Sequence, residues 1–181
     1  MTRLNIPTIE NAPEATRATL DAVEKQLGTV PNLFRLIANS PAALTAFTGL
    51  QGALSQALDV KTRERIALAV AQVNGCDYCL SAHTYLGLNL AKLGAEEIAL
   101  NRRGHSADTR ADAAVQFAAT VARDRGHVAD DAIDAVRNAG FSDAQIVEIV
   151  ALVAENTFTN YLNEVARTEI DFPVVLAADA A

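Results

Sequence analysis

The sequence predicts an all-α protein, on three observations. Half of its 181 residues are hydrophobic, yet aromatics make up only 5%, tryptophan is absent and alanine is abundant; such chains are usually closely packed helices. Apolar residues recur every three to four positions from about residue 13 to residue 166. No alternating run bounded by turn residues reads as a strand. At this length one domain spanning residues 1–181 is expected, with enough chain for a real core.

The elements follow in order. Pro13 to Leu27 carries Ala15, Leu20, Val23 and Leu27 at helical spacing and is stopped by Gly28. Val30-Pro31-Asn32 is a turn. Leu33, Phe34, Leu36 and Ile37 give a short helix, halted by Asn39-Ser40-Pro41. Pro41 is a good first helical residue, and the helix it opens runs to about Ala57 with Leu44, Phe47, Leu50 and Leu54 as its stripe. A helix from Lys61 to Val73, apolar nearly all round from Ile66, belongs in the core and is broken by Asn74-Gly75. Asp77 to Leu93 and Glu96 to Arg103 follow.

Asp108 or Thr109 caps a helix reaching about Arg125, with Ala114, Phe117, Ala118 and Val121 inward. Asp130 to Asn138 is short, anchored by Ile133 and Val136. Ser142 caps the last helix, which carries Ile146, Ile149, Val150 and Val153 inward and extends to about Ala166. The tail Asp171-Phe172-Pro173-Val174-Val175-Leu176 reads either as an extended arm on a neighbour or as a frayed end.

The net charge is −7 and the basic residues are scattered, which argues against nucleic acid or an anionic membrane as partner. No apolar run approaches the ~18–20 residues that span a bilayer, and Met1 to Pro7 lacks a signal peptide's apolar stretch. A cytoplasmic location is expected. There a Cys-x-x-Cys pair is more often catalytic or metal-binding than a structural staple.

Both cysteines lie in one stretch, Cys76-Asp-Tyr-Cys79, with His83 four residues beyond and Glu64 twelve before. On a helix, Cys76, Cys79 and His83 fall at roughly 0°, 300° and 340°, so they share a face. The Asn74-Gly75 break sets the thiols at a helix start, where unpaired N–H groups and the dipole favour a thiolate. His83 could favour that thiolate as imidazolium or act as base, and Glu64 could orient the imidazole. Cβ atoms three apart on an ideal helix are roughly 5–6 Å from each other, and a disulfide needs about 3.8 Å. A loose first turn can close that gap, so a reversible disulfide is expected. These residues together look like a proton-coupled redox site.

Blander readings stand beside this one. The cysteines could be core residues, or zinc ligands with His83 and Glu64, although the second paired cluster of zinc sites is missing. Glu64 could be a dipole-stabilised surface carboxylate. Tyr78 and Ser81 could serve the site or only the structure, while His105 and His127 lie in polar surroundings and read as solvated. Leu80 stands where haem c attachment needs histidine. A faint echo places Glu148-Ile-Val-Ala-Leu against Glu64-Arg-Ile-Ala-Leu, which puts Asn160 and Asn163 in the cysteines' places.

The spacing Glu64, Cys76-Asp-Tyr-Cys79, His83 resembles the signature of the alkylhydroperoxidase D-like group in the carboxymuconolactone decarboxylase superfamily. Val30 to Phe34 and Asn160 to Pro173 resemble its peroxidase-related branch. The resemblance implies a compact helical bundle, with the Cys-x-x-Cys at the N-terminus of a central helix. It implies a homo-oligomer (dimer, trimer or hexamer) and hydroperoxide reduction with electrons from a dithiol or lipoyl-type protein. No metal or other cofactor is implied. In that scheme Cys79 attacks the peroxide, Cys76 resolves the sulfenic acid as a disulfide, and Glu64 and His83 relay protons. Tyr78 stands where the best-known members often carry a second histidine; titrating near pH 10, tyrosine is a poor neutral-pH shuttle. Decarboxylases of the superfamily lack the cysteine pair, which argues against lactone decarboxylation here.

Overall fold

In the computed structural model, which describes residues 2–179, helices account for the regular structure and no strand occurs among the described residues. The order is α1 (Glu14–Leu27), α2 (Asn32–Ile37), α3 (Pro41–Leu54), α4 (Val60–Asn74) and α5 (Asp77–Asn89). There follow α6 (Ala95–Arg102), α7 (Thr109–Arg123), α8 (Asp130–Asn138), α9 (Asp143–Ala166) and a closing 3-10 turn, Ala177–Asp179. Ser40, Asp59, Asp108 and Ser142 each cap a helix through the side chain, at about 1 kcal/mol apiece. Ser142 and Gln145 complete a reciprocal capping box, which is why α9 begins where the sequence says.

Three ends fall short of expectation. α3 stops at Leu54 rather than about Ala57, because residues 55–57 already form a turn. α5 stops at Asn89, because Ala91 and Leu93 turn inward and their amides bond back to the Leu86 and Gly87 carbonyls. α7 stops at Arg123, where Arg125 and Gly126 both adopt positive φ. Of the expected stripes, Ala15, Leu27, Leu50 and Val150 lie exposed, while Thr16 is buried in their stead on α1. Periodicity assigns an apolar face but does not say how wide a part of it is covered.

The helix at the centre is α4, against which α5, α6, α7 and α9 all pack. Ile66 and Val70 meet Phe117, Ala118, Ile149 and Val153 in one cluster. Buried alanines at 67, 69, 71, 114 and 118 let the axes approach closely. Truncating fully buried Ile66 to alanine would cost about 2–5 kcal/mol. A second cluster joins α1, α2 and α3 through Leu20, Val23, Phe34 and Phe47. Phe47 ties it to α9, with its ring 6.1 Å from that of Phe158.

Residues 169–177 form an extended arm that packs on its own chain, over α5. Ser81 Oγ accepts from Val175 N at 2.9 Å, and Asp77 Oδ1 accepts from Ala177 N at 2.7 Å. Phe172 packs edge-on against Tyr78, ring centroids 5.9 Å apart. At the arm's start Asp171 Oδ2 accepts from Asn32 N, 2.7 Å away. No described helix is long and apolar enough to cross a membrane.

Candidate functional site

The site begins where α4 ends. Gly75 takes the left-handed conformation, φ 68° and ψ 29°, which a Cβ would disfavour. The chain thereby stops one helix and starts the next within two residues. Cys76 is the N-cap of α5, and its Sγ accepts from Cys79 N at 3.3 Å, the bond an oxygen side chain usually makes there. Cys79 and His83 follow on the same helix, a turn apart.

Glu64 reaches across from α4, and its Oε2 lies 2.9 Å from His83 Nδ1. It is buried, so it is not a surface carboxylate. The fourth side of the site comes from α9. Asn163 Nδ2 donates to Cys79 Sγ at 3.3 Å, and Asn74 Nδ2 donates to Asn160 Oδ1 at 2.8 Å. Both thiols are free.

Charge within this cluster is unequally shared. The Cys79 thiol titrates at about 7, held down first by its hydrogen bond with Cys76. Burial works against ionisation, while the His83 charge and the amides of Asn163 and Asn160 favour it. Cys76 is pushed well up by its bond to Cys79, by burial and by negative charge on Cys79. Of the two thiols it is therefore Cys79 that ionises first, while Cys76 keeps its proton. Burial disfavours the imidazolium of His83, yet the charge and hydrogen bond of Glu64, with Cys79 and Glu155, raise its pKa above 6.5. Glu155 on α9 is itself raised, chiefly by burial. The arrangement favours negative charge on Cys79, a proton on Cys76 and positive charge on His83, whose ring Glu64 holds at 2.9 Å.

Sequence reasoning singled out Tyr78 as well, and the structure gives its hydroxyl other partners. That oxygen accepts from Leu33 N at 3.1 Å and pairs with Asp171, and burial leads the causes that raise its pKa. Ser81 holds the arm. His105 is exposed beside Asp112, 3.3 Å away, and His127 is exposed too. Asn163 and Glu155 were not singled out as site residues; the signals for Asn163 were the faint echo between α4 and α9 and the family likeness of the segment Asn160 to Pro173.

Cys76 has no exposed surface and Cys79 2%. His83 is the most open member, with 22% of its side chain exposed. A separate cleft of about 810 Å³ lies between the N-terminal residues, α2 and the start of the arm; its lining includes none of these four residues. No cluster of three or more His, Cys, Asp or Glu among the described residues is arranged to hold a metal ion.

Helices gathered round a free dithiol, backed by an imidazole–carboxylate pair, define a helical dithiol protein. The carboxymuconolactone decarboxylase family model matches residues 41–124, which include all four residues of the motif. The fold is similar to that of the alkylhydroperoxidase AhpD core, an uncharacterized peroxidase-related protein from Ralstonia eutropha. Identity is 27% over 94% of this chain and 92% of that one, with a TM-score of 0.83. A peroxidase-related protein from Silicibacter is 28% identical over 93% and 91%, TM-score 0.79. The debrominase Bmp8, in complex with 2,3,4-tribromopyrrole, shares the fold at 20% identity over 94% and 92%, TM-score 0.80. No curated protein matches the chain. Over residues 41–124 the chain is thus similar to the carboxymuconolactone decarboxylase family, and its fold is similar to that of the alkylhydroperoxidase AhpD core.

Proposed function

We propose that this protein is a thiol-dependent hydroperoxide reductase that works through Cys79 and Cys76. The observation that carries the reading is the lowered pKa of Cys79 beside an imidazole locked by Glu64 at 2.9 Å. The Cys79 thiolate attacks the distal oxygen of a hydroperoxide, the O–O bond breaks, and His83 supplies the proton that leaves with the alcohol. Cys79 is then a sulfenic acid. The Cys76 sulfur attacks it, water leaves and a disulfide closes. A dithiol or lipoyl-type protein supplies two electrons and two protons to reopen the bridge. Glu64 keeps His83 oriented and charged between turnovers.

The working form is a cytoplasmic homo-oligomer. In support, Val147, Val150, Phe158, Tyr161 and Val165 lie exposed at helical spacing on α9, an apolar stripe of the kind that subunits cover. Stopped-flow oxidation of the reduced protein by several hydroperoxides, with thiol counting, tests the chemistry. Two thiols are expected to vanish per peroxide consumed, and Cys79→Ser should abolish turnover. Unchanged turnover in that variant refutes the assignment. Turnover of a carbonyl or lactone substrate that survives alkylation would instead assign the work to Glu64 and His83.

A further inference from the structure

The reading above leaves two buried carboxamides unexplained. Asn160 and Asn163 lie three apart on α9, so they share a face, and that face meets the start of α5. Asn160 has no exposed surface and Asn163 2%. A core helix seldom buries two amides without fixed partners, because each unmatched polar atom is costly away from water. Here the matching is incomplete in one direction. Asn163 Nδ2 bonds the sulfur of Cys79 at 3.3 Å, while Asn163 Oδ1 and Asn160 Nδ2 have no partner. The orientation of Asn160 is not free: Asn74, the last residue of α4, donates to its Oδ1 at 2.8 Å and so turns Nδ2 the other way. Both amides favour negative charge on Cys79.

We propose that Asn160 and Asn163 are a two-amide donor site for the Cys79 sulfur, with Asn163 holding the thiolate and Asn160 receiving the oxygen that the sulfur acquires. A thiolate accepts the Asn163 bond already present. When hydroperoxide oxygen is transferred to sulfur, two electrons leave Cys79 and the O–O bond breaks. The alcohol departs with a proton, and a new polar atom stands among buried side chains. Asn160 Nδ2 is the unpaired donor held ready beside it, and the unpaired Asn163 Oδ1 is an acceptor for the sulfenic acid hydrogen. The oxygen-holding half rests on the peroxidase reading; the thiolate-holding half does not.

The test separates the two halves. In the reduced full-length protein, the pH profile of Cys79 alkylation by iodoacetamide, with the modified residue mapped by mass spectrometry, gives the thiol pKa. Asn163→Ala and the near-isosteric Asn163→Leu should raise it by roughly one unit, cutting the alkylation rate at acidic pH about tenfold. Asn163→Asp, which sets a carboxylate against the sulfur, should raise it further. In the wild-type protein, whose folding is not in question, the side-chain NH2 resonances of Asn163 should titrate with the same midpoint. They should lose that titration in Cys79→Ser.

For the second half, Cys76→Ser blocks disulfide closure, and dimedone trapping after hydrogen peroxide measures the sulfenic acid's lifetime. Adding Asn160→Ala should shorten it several-fold in favour of sulfinic acid. Flat Asn163 resonances, or an unmoved alkylation profile in folded variants, would overturn the thiolate role, and an unmoved lifetime would overturn the oxygen role. Amide-linked titration with no peroxide reaction would uphold the thiolate role and remove the peroxidase reading alone.

Discussion

Two carboxylates on neighbouring helices, Glu64 and Glu97, are equally sheltered, each side chain being 12% exposed, yet they are used differently. Glu97 on α6 is saturated. Its Oε1 accepts from Arg65 Nε at 2.7 Å, Asn101 Nδ2 at 2.9 Å and Ser106 Oγ at 2.5 Å, and its Oε2 accepts from Ala107 N at 2.9 Å. Burial resists ionisation there, but those donors prevail and hold the acid at about 2. Glu64 bonds one partner, His83, whose proton can leave. A carboxylate surrounded by fixed donors is a strut; one facing a single titratable ring can take part in chemistry.

Exchanging the two roles by mutation gives the largest contrast. His83→Ala should reduce peroxide turnover by about 10²-fold or more, the usual range for a lost proton donor, with Glu64→Gln close behind. Both should keep the helical circular dichroism spectrum of the wild type. Glu97→Gln should do the opposite. It strips charge from four donors and leaves Arg65 without its partner, so about 1–3 kcal/mol of stability should vanish. Turnover per folded molecule should hold.

The same contrast appears in pH, at smaller amplitude. Glu97 is lowered in the folded state, so its contribution is fully present above pH 4.5 and disappears as pH falls towards about 2. His83 is raised, so its contribution is full below pH 6.5 and fades as pH rises through the folded-state value. Denaturant melts against pH should therefore lose stability on the acid side in wild type but less so in Glu97→Gln. On the alkaline side the gap between wild type and Glu64→Gln should narrow. Cys79 alkylation should rise through about pH 7.

Much of this was legible from sequence, for identifiable reasons. α9 begins at its Ser142 cap because a capping box is a local signal, and the Gly75 break needs only the residue itself. The shared face of Cys76, Cys79 and His83 follows from helical spacing, and Glu64 joined it through a pattern of four residues. What was illegible depends on neighbours far along the chain. Asn163 reaches Cys79 across 84 positions, and no periodicity marks it as different from other polar residues of α9. The arm carries neither turn chemistry nor helical spacing, so its place over α5 emerges only from packing. Val150 and Leu50 fit the apolar stripes but stand outside what the core covers.

That arm has a mechanical corollary. Asp77 and Tyr78, the two residues that separate the sulfurs, are the same ones that grip the chain's last segment, through Ala177 N and the ring of Phe172. If the proposed chemistry holds, drawing Cys79 and Cys76 into a covalent bridge would shift the turn to which that segment is fastened. The oxidised molecule should then give up its C-terminal peptide to a protease sooner than the reduced one, and the redox state of two hidden atoms becomes readable as a cleavage rate.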